Sequence, residues 1–261
     1  MSPPQVGPSP VVVVVRDAPV LAELVAARLL SRLVDVQALR GTASVVLTGG
    51  RIGIAALEAV GRAPARHAVD WRRVDVWWGD ERYVLAGDPQ RNELQARAAL
   101  LDALDLDPVR LHPMAALDGP DGPDVDAAAA RYADELTAAA PADDDVPPFD
   151  VLLLGIGPEG HTASIFPESA AAHDERLVVG VHGCPKPPAT RISLGFAALG
   201  AAREVWMVVA GTDKAAAAAM ALSGAGRVQV PAAGVHGRQA TLWLLDEAAA
   251  GALPRDLRRR A

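Results

Sequence analysis

Short runs of Val, Leu and Trp, each followed closely by an Ala-rich stretch of helical spacing, constrain this 261-residue chain more than any other feature. "VVVVVR" precedes Pro19 to Leu33, in which Leu21, Leu24, Val25, Arg28 and Leu29 mark one face. "ASVVLTGG" precedes a helical stretch from Ile54 to Val60, and "VDVWWGDER" precedes another from Asn92 to Leu104. "FDVLLLGIG" and "EVWMVVAGTDKAAAAAMAL" repeat the arrangement. Runs that are apolar throughout, rather than alternating, predict strands covered on both faces and hence a mostly parallel sheet. Alternation of strand and helix then predicts an α/β fold: an open, mostly parallel sheet with helices on both faces and right-handed crossovers, with room for a small additional β subregion.

The alternation continues on both sides of the Pro/Asp-rich stretch 141–150, which predicts one α/β domain over residues 11–253. "LDGPDGPD" (Leu117 to Asp124) reads as a turn cluster opening a helix, with Asp124 as its N-cap. Residues 1–10, rich in Pro and without a long apolar stretch, predict a disordered arm rather than a secretory signal. Residues 254–261 form a basic tail. The longest aliphatic run, Val11 to Val15, is too short to span a bilayer. A single cysteine, Cys184, excludes an internal disulfide framework, and together these features predict a cytoplasmic protein. The net charge of −7 argues against a general nucleic-acid binder. An anionic ligand would need local clusters of Arg or Lys.

Such clusters fall at strand ends. Thr48-Gly49-Gly50-Arg51, Gly79-Asp80-Glu81-Arg82, Gly155 to His161 and Gly211-Thr212-Asp213-Lys214 each follow an apolar run. In a parallel sheet the carboxyl ends of the strands share one edge, and ligands bind in the crevice there. Gly49-Gly50 is either a plain turn or a place where bare backbone N–H groups meet an anion at a helix start. "GIGPEG" spells G-x-G-x-x-G, but the acid that a dinucleotide site needs about 20 residues further on is absent. Arg82 and Lys214 offer fixed charge for a phosphate or carboxylate. Asp80 and Glu81 read as loop-capping and arginine-orienting groups. Of the histidines, His161 alone sits in such a cluster, with a carboxylate two positions before it and hydroxyls just after. No H-x-x-x-H spacing points to a metal, Ser164 is not in a nucleophile elbow, and Cys184 lacks a basic neighbourhood that would make it a thiolate.

The segments "LTGG", "VDVWWGDERYV", "DPQRN", "FDVLLLGIGPEGHTASIFP", "TRISL", "VVAGTDKAAA" and "LWLLDEAAA" occur in the order in which a known family carries them. From about Val11 to Ala250 the chain resembles the soluble, metal-independent 6-phosphogluconolactonases, within the wider group that includes glucosamine-6-phosphate deaminases. The residues after His161, "HTASIFP", separate the lactonase pattern from that of the deaminases, which is close to G-H-I-A-F-N-E-P. Several positions depart from the family pattern. Arg51-Ile52-Gly53 stands where Ser-Thr-Pro is frequent, Glu159 where Asp is usual, and Arg91 where Ser precedes the family's Asn. An Asn expected soon after "RISL" is absent.

The resemblance implies a Rossmann-like fold and hydrolysis of 6-phospho-D-glucono-1,5-lactone to 6-phospho-D-gluconate, with no cofactor and no metal. It casts His161 as the general base that activates water, with Glu159 orienting the imidazole. Gly49, Gly50, Arg51, Arg82, Arg191 and Lys214 are then expected around the substrate and its phosphate, and backbone N–H groups of the glycine-rich loops around the oxyanion. The expected partner is the small phosphosugar lactone, with no nucleic acid and no membrane; the sequence leaves the oligomeric state open. Two other readings stay open at this point: a sugar-phosphate isomerase or deaminase of the same group, and a non-enzymatic sugar-phosphate sensor.

Overall fold

The structure is a computed structural model that describes residues 9–257. Residues 1–8 of the expected arm and 258–261 of the expected tail therefore lie outside the described residues. The elements run β1 (Val11–Val15), α1 (Ala18–Arg40), β2 (Ala43–Leu47), α2 (Arg51–Arg62), β3 (Val74–Trp78), β4 (Asp80–Arg82), α3 (Asn92–Ala99), β5 (Leu111–His112) and α4 (Val125–Ala139). They continue as β6 (Val151–Leu154), α5 (Ala170–His173), β7 (Val178–Val181), β8 (Arg191–Leu194), α6 (Phe196–Leu199), β9 (Glu204–Val209), α7 (Ala215–Leu222) and β10 (Ala240–Asp246). Seven strands form one sheet in the order β1-β10-β9-β6-β2-β3-β5, with every pairing parallel. Three more, β4-β8-β7, make a small antiparallel sheet. The fold is thus α/β, with the additional β region that the sequence left room for.

Continuous apolar strands arise because both faces of the large sheet are covered. Along β6, Val151 and Leu153 enter one core while Leu152 and Leu154 enter the other; along β9, Trp206 and Val208 part from Val205, Met207 and Val209 in the same way. Side chains of α1, α2 and α3 fill the first core. Those of α4, α7 and the small sheet fill the second. Period-two alternation of side chains between two apolar layers is what a doubly covered strand requires.

Two helices, α1 and α2, extend past their sequence-based limits, and α3 falls short of its own. α1 runs to Arg40 rather than Leu33, because Val36 stays in phase with the buried Leu21, Val25, Leu29 and Leu33. It starts where the Asp17 carboxylate accepts from the Val20 amide at 3.0 Å, and it stops at Gly41. Leu24, expected on the buried face, is only partly buried. α2 begins at Arg51, three residues before the expected Ile54. The stretch expected as one helix from Asn92 to Leu104 breaks at Leu100 and resumes as a short 3₁₀ turn, Leu101–Ala103. Asp124 caps α4 as expected, accepting from the Ala127 amide at 3.0 Å.

Candidate active site

Gly79 marks the passage from the large sheet to the small one. Its amide still donates to Leu47 of β2 while its carbonyl accepts from Leu194 of β8. Asp80-Glu81-Arg82, expected as a loop at a strand's end, is therefore a strand of its own, turned across the carboxyl edge of the parallel sheet. A cavity of about 880 Å³ opens at that edge. Thr48 to Arg51, Asp80, Arg82, Asn92, Gly155 to Gly157, His161, Arg191, Gly211, Lys214 and Asp246 line it. All four sequence clusters thus converge. Of the candidate residues, Gly49, Gly50, Arg51, Arg82, Arg191, His161 and Lys214 line the cavity, and Glu159 sits behind His161 without lining it.

The turn after β6 is built around the imidazole. Gly157 donates its amide to the His161 carbonyl at 2.9 Å, and Gly160 donates to Gly157 at 3.0 Å, which closes a tight loop. The ring then lies so close over Gly157 that a Cβ there would fall 1.9 Å from His161 Nδ1. Only glycine fits beneath it. Phe166 stacks on the imidazole, with centroids 4.4 Å apart. Thr162 donates its hydroxyl to the Gly155 carbonyl, and the Ser164 hydroxyl donates to Asp80 at 2.7 Å. The "HTAS" residues thereby tie the histidine loop to itself and to β4. The expectation that glycine-loop amides serve as free donors needs correction here, because those of Gly157 and Gly160 are already engaged.

The electrostatics centre on Glu159. Its Oε1 lies 2.9 Å from His161 Nδ1, and its Oε2 accepts from Lys186 Nζ at 2.9 Å. Burial works to raise the Glu159 pKa, but hydrogen bonds from Lys186, a backbone amide and His161 outweigh it and hold the pKa at about 2. With an ionised carboxylate on Nδ1, the imidazole carries its proton there and leaves Nε2 as the accepting nitrogen. Burial pushes the His161 pKa below its usual value; Glu159 and Asp80 pull it up, and Lys186 pushes it down again.

At the other end, α2 starts at the cavity with Gly50 as its N-cap (φ 81°) and no side chain capping it. The free amides of this first turn and the positive end of the helix dipole face an open space that suits an anion. Gly49 is needed for contact, since a Cβ there would fall 2.0 Å from Asn92 Oδ1. Lys214 pairs with Asp213 at 3.0 Å, on a turn fixed by the Asp246 carboxylate, which accepts from the Gly211 amide at 3.1 Å and the Ala249 amide at 2.7 Å. Arg82 donates to the Gln90 carbonyl at 2.6 Å. The expectation that Glu81 orients an arginine holds for Arg91, 3.7 Å away, and not for Arg82. Its main work is capping: its carboxylate accepts from the Asn92 amide at 2.7 Å and the Glu93 amide at 2.9 Å at the start of α3. The buried Arg191 uses its guanidinium on the carbonyls of Lys186, Pro187 and Pro188 at 3.0–3.3 Å.

Lys186, Asn92 and Asp246 had no place in the sequence-derived site. Asn92 had a signal in "DPQRN", whereas the role of Lys186 depends on a contact 27 residues away in sequence. Cys184, taken as inert, is buried, and burial raises its thiol pKa. Among the described residues, no group of three or more His, Cys, Asp or Glu side chains is arranged to hold a metal ion. Among them, too, no helix is long and apolar enough to cross a membrane.

Similarity to known proteins extends over most of the chain. A protein of Streptomyces coelicolor named 6-phosphogluconolactonase is 60% identical over 252 residues, covering 95% of this chain and 97% of that one. A 6-phosphogluconolactonase of Mycobacterium tuberculosis is 48% identical over 239 residues, covering 91% and 96%. The solved structure of 6-phosphogluconolactonase from Trypanosoma brucei superposes with a TM-score of 0.79 at 25% identity, covering 94% of this chain and 99% of that one. The family described as glucosamine-6-phosphate isomerases/6-phosphogluconolactonase matches residues 16–243, and the chain belongs to it.

Proposed function

We propose that the protein hydrolyses 6-phospho-D-glucono-1,5-lactone to 6-phospho-D-gluconate in the oxidative pentose phosphate route, with His161 as the general base. The relatives named 6-phosphogluconolactonase at 48–60% identity support the reaction. The observation that carries the mechanism is the Glu159–His161 contact, which sets the imidazole tautomer at the wall of the cavity. Neutral His161 takes a proton at Nε2 from a water as its oxygen attacks the lactone carbonyl carbon. The tetrahedral intermediate collapses, the bond from carbon to ring oxygen breaks, and His161 returns the proton to the departing oxygen.

A lowered His161 pKa keeps the imidazole neutral, and so able to act as a base, near pH 7. The substrate's phosphate lies at the start of α2, against the Gly49-Gly50 turn, with Arg51, Arg82 and Lys214 supplying charge. Arg191, which flanks the same Phe166 ring as His161, adds positive charge beside the reacting carbonyl. A strained ester is already electrophilic, so the chain needs no side-chain nucleophile. The cytoplasmic location follows from the reading of a single cysteine and short aliphatic runs.

The test is a lactone hydrolysis assay corrected for the spontaneous rate. His161→Ala should lower kcat by about 10²- to 10⁴-fold, the usual range for a lost general base. Arg82→Ala and Lys214→Ala should chiefly raise KM. Unchanged turnover in His161→Ala, or ammonia release from glucosamine 6-phosphate by the wild type, would overturn the reading.

A further inference from the structure

Among the described residues, Glu159 is the carboxylate that meets the His161 ring, and its two oxygens are divided between two partners. Oε1 meets the imidazole and Oε2 meets Lys186, each at 2.9 Å. Lys186 comes from a different part of the chain, the turn between β7 and β8, and does not line the cavity. That turn is held from inside. The buried Arg191 guanidinium bonds three successive carbonyls, those of Lys186, Pro187 and Pro188, and the Cys184 amide donates to Ala189 at 2.8 Å. A cation on a fastened turn, placed behind the orienting carboxylate rather than in the cavity, is arranged to act on the enzyme and not on the ligand.

We propose that Lys186 is a positioning residue for the reaction: carried on the turn that Arg191 fastens, its ammonium holds the far oxygen of Glu159 and so fixes the carboxylate against His161 Nδ1. The physical problem it solves is specific. A carboxylate paired with histidine fixes the tautomer but also favours the imidazolium, which is useless as a base. A second cation on the far oxygen keeps the carboxylate in place while offsetting its charge. The groups that bear on His161 are Glu159, Lys186 and Asp80, with Arg51, Arg82, Arg191, Lys214 and Asp246 around the cavity beyond. Among the first three, Lys186 is the one that opposes protonation.

The proposal rests on the lactonase reading, and the test separates the two. Base catalysis by a neutral imidazole is lost as pH falls through the His161 pKa. Lys186→Met removes a charge that lowers this pKa, so the acid limb of kcat/KM should move to higher pH by roughly one unit. Plateau kcat should fall several-fold, and KM should change by less than about threefold. Lys186→Arg should restore the limb. Glu159→Gln, which removes the opposing influence, should move the limb to lower pH. Lys186 is 43% exposed and Glu159 34%, so the pair contributes little to folding and Tm should stay within about 2 °C.

An NMR titration of the imidazole signal that is absent from His161→Ala should show the same shifts without substrate. A raised KM with an unmoved limb would make Lys186 a substrate ligand and overturn the proposal, as would an unmoved imidazole titration. A wild type without lactonase activity would sink the functional reading alone, while the titration would still decide the role of Lys186.

Discussion

Gly157 has no side chain because the His161 imidazole occupies the place where one would begin. This ties a residue with no chemistry of its own to the residue with the most. Gly157→Ala should push the ring off the Glu159 carboxylate by an ångström or more. A displacement of that order costs about 10²-fold in rate when it separates a catalytic group from its target. The expected result is a drop of that size in kcat with the circular dichroism spectrum unchanged; a variant of wild-type kcat would show that the turn relaxes without moving the ring. His161 and Glu159 were legible in the sequence because they stand two positions apart in one thirteen-residue string, where spacing and chemistry are read together. Lys186 was not legible, since nothing in "HGCPKPP" tells that its lysine reaches back 27 positions to Glu159.

The elements were legible in kind and order but less so at their ends. Apolar continuity announced β2, β3, β6 and β9, and Ala-rich spacing announced the helices between them. What escaped was the change of sheet at Gly79, because Asp80-Glu81-Arg82 has the composition of a loop and becomes a strand only by pairing with β8. That strand matters for the cavity. Glu81 reaches from β4 to cap α3, whose own N-cap residue, Arg91, offers the helix amides no side-chain acceptor. Two amides at the helix start and one at Arg82 share this buried carboxylate. Glu81→Ala would leave these three amides without their acceptor and the buried Arg91 with Glu93 as its one remaining carboxylate partner among the described residues. It should lower the unfolding free energy by about 3 kcal/mol and Tm by roughly 6–12 °C. Asn92, at the first turn of α3 and on the cavity wall, should lose its place at the same time, so KM should rise as well. Thermal unfolding and steady-state kinetics check the two halves; a Tm within about 2 °C of wild type would show that the cap is dispensable.

Across the molecule, two partly buried histidines are shifted in opposite directions. His112, on the edge strand β5, stacks on Trp77 at 3.7 Å between centroids and meets Glu135 at 2.6 Å and Asp75 at 3.5 Å. Burial alone would lower its pKa, but the two carboxylates raise it above the usual value. A group whose folded pKa is raised contributes stability in full below the unfolded value of about 6.5, and that contribution disappears as pH climbs through the folded value. The difference in unfolding free energy between wild type and His112→Gln should therefore be largest below about pH 6 and narrow toward alkaline pH. Urea unfolding across pH 5 to 9 measures it. A constant difference over that range would mean that His112 does not titrate with folding. His161, shifted the opposite way, should leave its mark on turnover instead.

The first and last strands of the large sheet lie side by side, Val11 opposite Leu242, and the cavity takes its walls from turns spread between them. Gly49 and Arg82 precede the exposed stretch 141–145; His161 and Lys214 follow it. Neither part of the chain on its own brings His161 and the Gly49-Gly50 turn together. Such long sequence separations slow folding, since closure must precede the contacts that reward it. They also make turnover all-or-none with respect to assembly. A polypeptide severed at that stretch would be silent as separate pieces and would regain hydrolysis only when they meet, so the enzyme's own reaction serves as the signal that two fragments have associated.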